Sequence, residues 1–130
     1  MRDEPLDPRA ARFAVLGALS AFLAVVSGAF GAHALRSRLI EAFLQAFETG
    51  ARYQFLHALA LFAVAWAYDR TRQPAVARAG WLFAAGTILF SGSLYALSLS
   101  GITRFGMITP LGGLCFLAGW LSLAWGLARR

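Results

Sequence analysis

From Phe13 to Leu35 the chain carries no Asp, Glu, Lys or Arg. Uncharged apolar runs return from about Tyr53 to Tyr68, from Gly80 to Ser100 and from Phe105 to Leu127. A helix needs about 20 apolar residues to cross a hydrocarbon core about 30 Å thick. The first, third and fourth runs meet that outright. The second is short, and either borrows Ala51 and Arg52 or sits against a thinned or protein-lined region. A soluble four-helix bundle needs a polar face on each surface helix, and none of the four runs has one. The sequence therefore predicts an all-α integral membrane four-helix bundle, a single domain with spans at about 13–35, 51–68, 80–100 and 105–127.

Composition closes the other routes. Hydrophobic residues make up 59% and charged residues 14%, against roughly 25% charged in an ordinary soluble domain. So apolar a chain would not stay solvated as a disordered one. The single cysteine, Cys115, excludes a disulfide scaffold, and one Cys with two His at unrelated spacings excludes a zinc finger. The net charge of +6 comes entirely from arginine on the basic side. These arginines stand in short gaps between apolar runs instead of clustering on one face, so no nucleic acid partner is expected. Ala32-His33-Ala34 has the form of a signal cleavage site. The run before it is too long for a signal peptide, and Asp3, Glu4 and Asp7 precede it, so no cleavage is expected and a mitochondrial presequence is disfavoured.

The arginines orient the spans. Arg2, Arg9 and Arg12, then Arg70, Arg72 and Arg78, then Arg129 and Arg130 fall on one side, against Arg36, Arg38, Arg52 and Arg104 on the other. Both termini are expected in the cytoplasm, with the lipid bilayer as the protein's surroundings. Between spans one and two, Leu39, Ile40, Phe43, Leu44 and Phe47 recur at helical spacing with Arg38, Glu41, Gln45 and Glu48 between them. That pattern predicts an interfacial amphipathic helix over about 38–48, ended by a break or bend at Thr49-Gly50.

Helices in lipid associate by close packing of small residues. Ala14, Gly17, Ala21, Ala24, Gly28 and Gly31 form one such seam on span one. Gly112, Cys115, Gly119, Ser122 and Gly126 form another on span four, where Cys115 reads as a packing residue. Tyr68, Trp81, Trp120 and Trp125 read as anchors at or near the cytoplasmic interface.

The polar residues inside the spans carry the functional interest. With about 1.5 Å of depth per residue, His33, His57, Ser91, Ser93, Tyr95 and Thr109 fall in one layer near the outer face, joined by Arg52 and Gln54. Polar groups at such depth face the bundle interior or a wet cavity. The layer is expected to be a hydrogen-bond network, with His33 and His57 facing inward near Tyr95 and Thr109. No metal or cofactor is expected, since two histidines with no Asp, Glu or Met at matching depth make a poor site. No carboxylate lies within a span, which disfavours a proton-coupled transporter.

These positions also carry a resemblance. Gly28-Ala29-Phe30-Gly31-Ala32-His33, Tyr53-Gln54 with His57-Ala58-Leu59-Ala60-Leu61, Phe90-Ser91-Gly92-Ser93-Leu94-Tyr95, and Ile108-Thr109-Pro110-Leu111-Gly112-Gly113 with Gly119-Trp120 occur in that order across all four spans. In these motifs the chain resembles the small bacterial membrane proteins of the domain of unknown function 423 family, whose eukaryotic relatives are called transmembrane protein 256. The resemblance implies a multi-pass inner-membrane protein of about this length, and it brings no activity, substrate or catalytic residue. The expected function is that of a non-enzymatic accessory, scaffold or oligomeric membrane protein, alone or in a larger complex. The alternative is a binding protein that takes haem, a quinone or a lipid in the outer polar pocket.

Overall fold

The computed structural model describes residues 4–129. Arg2, Asp3 and Arg130, counted above among the flanking charges, lie outside them. Four helices follow one another: α1 Pro8–Phe30, α2 Glu41–Thr71, α3 Pro74–Ser100 and α4 Thr109–Ala128. A π-helical turn, Gly31–Leu35, extends α1, and a 3-10 turn, Thr103–Met107, precedes α4. No strand occurs among the described residues. The proximal end of the molecule holds the start of α1, the α2–α3 connection and the end of α4. The distal end holds the other two connections.

Local chemistry sets the boundaries. The Asp7 carboxylate caps α1 by accepting from the backbone N–H groups of Arg9 and Ala10, at 2.8 and 3.3 Å, which satisfies donors the helix cannot. Pro8 and Pro74 open α1 and α3, where a missing N–H costs nothing. Arg72, at φ 55°, ends α2 in the left-handed region, and its guanidinium pairs with Asp7 and Asp69. Gly101, at φ 72°, ends α3 in the conformation that only glycine adopts freely.

Three segments are long and apolar enough to cross a membrane: Pro8–Leu35, Pro74–Ser100 and Thr103–Ala128. The 31-residue α2 is long enough, at about 46 Å, but its first turns carry Glu41, Glu48 and Arg52. These turns correct one expectation. The amphipathic stretch at 38–48 is no separate interfacial helix, because α2 runs unbroken through Thr49-Gly50. Gly50 is there for packing: a Cβ on it would lie 3.1 Å from the Tyr95 ring and 3.4 Å from the Ser91 carbonyl oxygen. The apolar side of these turns faces protein, with Leu44 and Phe47 burying against Leu35, Leu39 and Tyr95.

Each helix packs against its neighbours in sequence, and α1 touches α3, and α2 touches α4, only sparingly. Among the described residues α1 and α4 do not meet, so the four helices form an open arrangement and not a closed square. The α3–α4 seam is regular. A Cβ on Gly112 would lie 2.3 Å from the Phe90 nitrogen, one on Gly119 2.6 Å from the Phe83 ring, and one on Gly126 2.6 Å from Val76. Seven residues forward on α4 match seven back on α3, which is the spacing of knobs-into-holes packing. Gly86 reverses the roles, with the Phe116 ring 2.6 Å from where its Cβ would stand. Between α1 and α2, Gly17 sits 2.9 Å, on the same measure, from the Ala58 carbonyl oxygen. Gly31 lies under the Phe47 ring. Gly28 departs from the expected seam. It is exposed, and a Cβ there would meet nothing within 4 Å. Gly31, in the π-helical turn that follows, is buried again, so of the three seam glycines only Gly28 departs.

Candidate functional site

Of the candidate polar residues, Gln54, Ser91, Ser93, Tyr95 and Thr109 form three separate interhelical links, and His57 sits in an aromatic cluster. Nearer the proximal end, Ser122 Oγ on α4 accepts from Arg78 Nε at 3.2 Å and donates to the Ala75 carbonyl oxygen at 2.8 Å, both on α3. In the first link, Tyr95 on α3 donates its hydroxyl to Gln54 Oε1 on α2 at 2.7 Å. Gln54 Nε2 in turn donates to the Ser20 carbonyl oxygen at 3.2 Å and approaches Ser20 Oγ at 3.4 Å on α1. One buried amide thus joins three helices. In the second link, Ser91 Oγ donates to the Gly50 carbonyl oxygen at 2.7 Å, which the glycine's close approach makes reachable. In the third, Ser93 Oγ and Thr109 Oγ1 lie 2.6 Å apart between α3 and α4. An unpaired donor at membrane depth costs several kcal/mol, and no buried side-chain N or O among the described residues lacks a partner.

His57 sits apart from these links. It is 2% exposed, and its ring stacks on Phe116 with centroids 3.6 Å apart and planes 6° from parallel. Phe83 and Trp120 close around it. Nδ1 lies 2.8 Å from the Tyr53 carbonyl oxygen, and the Trp120 indole N–H donates to Nε2 at 3.1 Å. A carbonyl only accepts and an indole N–H only donates. The imidazole that satisfies both is neutral, with its proton on Nδ1. Each ring nitrogen is therefore committed, and ligation of a metal or haem iron would break one of these bonds. No cluster of three or more His, Cys, Asp or Glu able to hold a metal occurs among the described residues.

Outside this cluster a groove of about 570 Å³ opens between α2 and α4, lined by Tyr53, Leu56, Phe90, Gly113, Leu117 and Trp120 with His57 in its wall. Gly113 has nothing within 4 Å of where a Cβ would stand, so its missing side chain keeps the groove wide.

A family model described as "Protein of unknown function (DUF423)" matches residues 27–113. The chain belongs to the DUF423 family. Similar proteins include the UPF0382 membrane protein YwdK of Bacillus subtilis (strain 168), 48% identical over 112 residues that cover 85% of this chain and 91% of that one. The UPF0382 membrane protein of Haemophilus influenzae is 43% identical over 116 residues, covering 88% of this chain and 92% of its own. The UPF0382 inner membrane protein YgdD of Escherichia coli (strain K12) is 39% identical over 115 residues, covering 88% of each. No solved structure matches. This DUF423 protein is thus a membrane protein of a family whose description carries no activity.

The residues picked out for an outer polar layer divide three ways. Gln54, Ser91, Ser93, Tyr95 and Thr109 take part in the interhelical links just described. His57 is buried, but its partners are Tyr53 and Trp120, not Tyr95 and Thr109. His33 and Arg52 are exposed and join neither the links nor the cluster. His33 lies in the π-helical turn, whose inward positions are Gly31 and Leu35. Two partners escaped the sequence reading. Ser20 lies deeper than the layer estimated from α1's distal end. Trp120 looked like an interfacial anchor, although an indole N–H well inside a span itself signals a need for an acceptor.

Proposed function

We propose that this DUF423 protein is a non-enzymatic structural component of the bacterial inner membrane. It spans the membrane four times with both termini cytoplasmic and works by docking α1 against a second copy or a larger membrane complex. The buried polar groups Gln54, Ser91, Ser93, Tyr95 and Thr109, spent on interhelical hydrogen bonds, then serve to fix helix register.

The observation that carries the reading is Gly28. A glycine inside a helix costs about 0.5–1 kcal/mol relative to alanine, and nothing among the described residues uses the space it leaves. On an exposed apolar face beside Val25, Val26 and Phe30, such a gap suits the close approach of another helix. Cross-linking of Gly28→Cys in a Cys115→Ala background, in native membranes, tests it. Adducts at twice the chain mass or larger are expected, with few from Leu121→Cys, an exposed position on α4. Equal yields at both positions would mark random collision and contradict the proposal. Gly28→Leu is expected to abolish the assembly without lowering the unfolding midpoint of the isolated chain.

A second reading rests on the α2–α4 groove, kept open by Gly113 and walled by Tyr53 and Trp120. It would hold a quinone ring or lipid tail against the His57–Phe116 stack. Solvent extraction of protein purified from native membranes, with and without Gly113→Leu, separates the two. A quinone or lipid lost specifically from the variant supports the groove, and identical extracts contradict it.

A further inference from the structure

Two clefts flank α1 at the proximal end, and their charge differs. One, of about 460 Å³, lies between α1 and α3 and is lined by Pro8, Ala11, Arg12, Val15, Leu16 and Trp81. The other, between α1 and α2, contains Trp66 and Arg70, but Asp69 lines it too. The Arg70 guanidinium lies over the Trp66 ring, 4.8 Å from its centroid. In the first cleft, Arg12 has no carboxylate within salt-bridge distance among the described residues. Of the described acids at this end, Asp7 and Asp69 both pair with Arg72, and Glu4 is exposed and forms no ion pair with Arg12. Trp81 is 55% exposed, with its ring edge-on to Phe13 at 5.2 Å. Its indole N–H has no acceptor among the described residues, although indole can only donate.

We infer that the α1–α3 cleft is a binding site for one anionic phospholipid of the surrounding bilayer. The Arg12 guanidinium and the Trp81 N–H take the phosphodiester, and an acyl chain lies along Val15 and Leu16. The argument is charge complementarity at a fixed depth. Arg12 lies one turn inside the start of α1, where an arginine reaches headgroups, and the wall below it is wholly apolar. A basic group at the mouth of an apolar cleft between spans fits an anionic headgroup and its tail together. A zwitterionic lipid would bring its own cation next to Arg12, and in the second cleft Arg70 stacks on Trp66 with the Asp69 carboxylate beside it, which leaves no unopposed basic group there.

The test is native mass spectrometry of the full chain in micelles doped with equimolar phosphatidylglycerol and phosphatidylethanolamine. Wild type is expected to retain one phosphatidylglycerol in preference to phosphatidylethanolamine. Arg12→Gln is expected to cut that preference about five-fold, the size of one basic contact near a membrane surface. Arg12→Lys should keep most of it, and Trp81→Phe should weaken it. Arg9→Gln is the control, because Arg9 points to the Tyr68 hydroxyl, at 3.4 Å, and not into the cleft. No preference in wild type, or an equal loss with Arg9→Gln, would overturn the inference. Unfolding midpoints measured alongside separate loss of lipid from loss of fold.

Discussion

Gly112→Ala is expected to destabilise the protein by about 3 kcal/mol, the upper end of what forced overpacking costs. The new methyl group would stand 2.3 Å from the Phe90 backbone nitrogen and 2.7 Å from its Cα. Backbone cannot swing aside as a side chain can, so α3 and α4 must separate or shift. That separation also strains the Ser93–Thr109 hydrogen bond one turn away. Alanine favours a helix over glycine by about 1 kcal/mol, which offsets only part of the loss. Gly28→Ala is the matched comparison: the same chemical change in open space, which should leave the isolated chain unchanged or stabilise it by up to about 1 kcal/mol. Denaturant titration of both variants in mixed micelles checks the pair. Similar midpoints for the two would contradict the α3–α4 register.

The second large effect is expected at His57. His57→Ala removes a ring stacked at 3.6 Å on Phe116 and leaves the Trp120 indole N–H without its acceptor. Large-to-small changes in a core cost about 2–5 kcal/mol, and an orphaned donor adds to that. A loss of about 3 kcal/mol or more is expected. His57→Phe keeps the stack and loses both hydrogen bonds, so it should fall between Ala and wild type. His57→Gln, which can accept from the indole, should be partly tolerated. A double-mutant cycle of His57→Phe with Trp120→Phe isolates the pair, and contacting residues typically couple by about 0.5–3 kcal/mol. Zero coupling would show that the His57–Trp120 bond contributes nothing.

Much of this was legible in the sequence because lipid is a demanding solvent. Runs without charge can only be buried or span, and glycines at steps of seven on α4 sit where the Phe90 backbone and the Phe83 and Val76 side chains need room. Gln54, Tyr95, Ser91, Ser93 and Thr109 could be gathered by depth alone, since a polar side chain in hydrocarbon must find another. Depth fixes height and leaves rotation about the helix axis open. His33 shows the consequence: the cost of a polar group in lipid predicts an inward ring, but in the π-helical turn Gly31 and Leu35 face inward and His33 is exposed. Thr49-Gly50 misled for a related reason. Glycine marks both breaks and close approaches, and only the position of α3 shows that Gly50 is the second kind. Trp120 was passed over because tryptophan is common at membrane interfaces, which hid its role as the donor to His57.

Native mass spectrometry of the wild-type protein, extracted gently from its own membrane, bears most directly on the proposal that this chain is a structural membrane component. The account predicts a complex larger than one chain, either a homo-oligomer or an assembly with a further membrane protein, that falls apart in Gly28→Leu. A strict monomer that co-purifies with no other protein would contradict it.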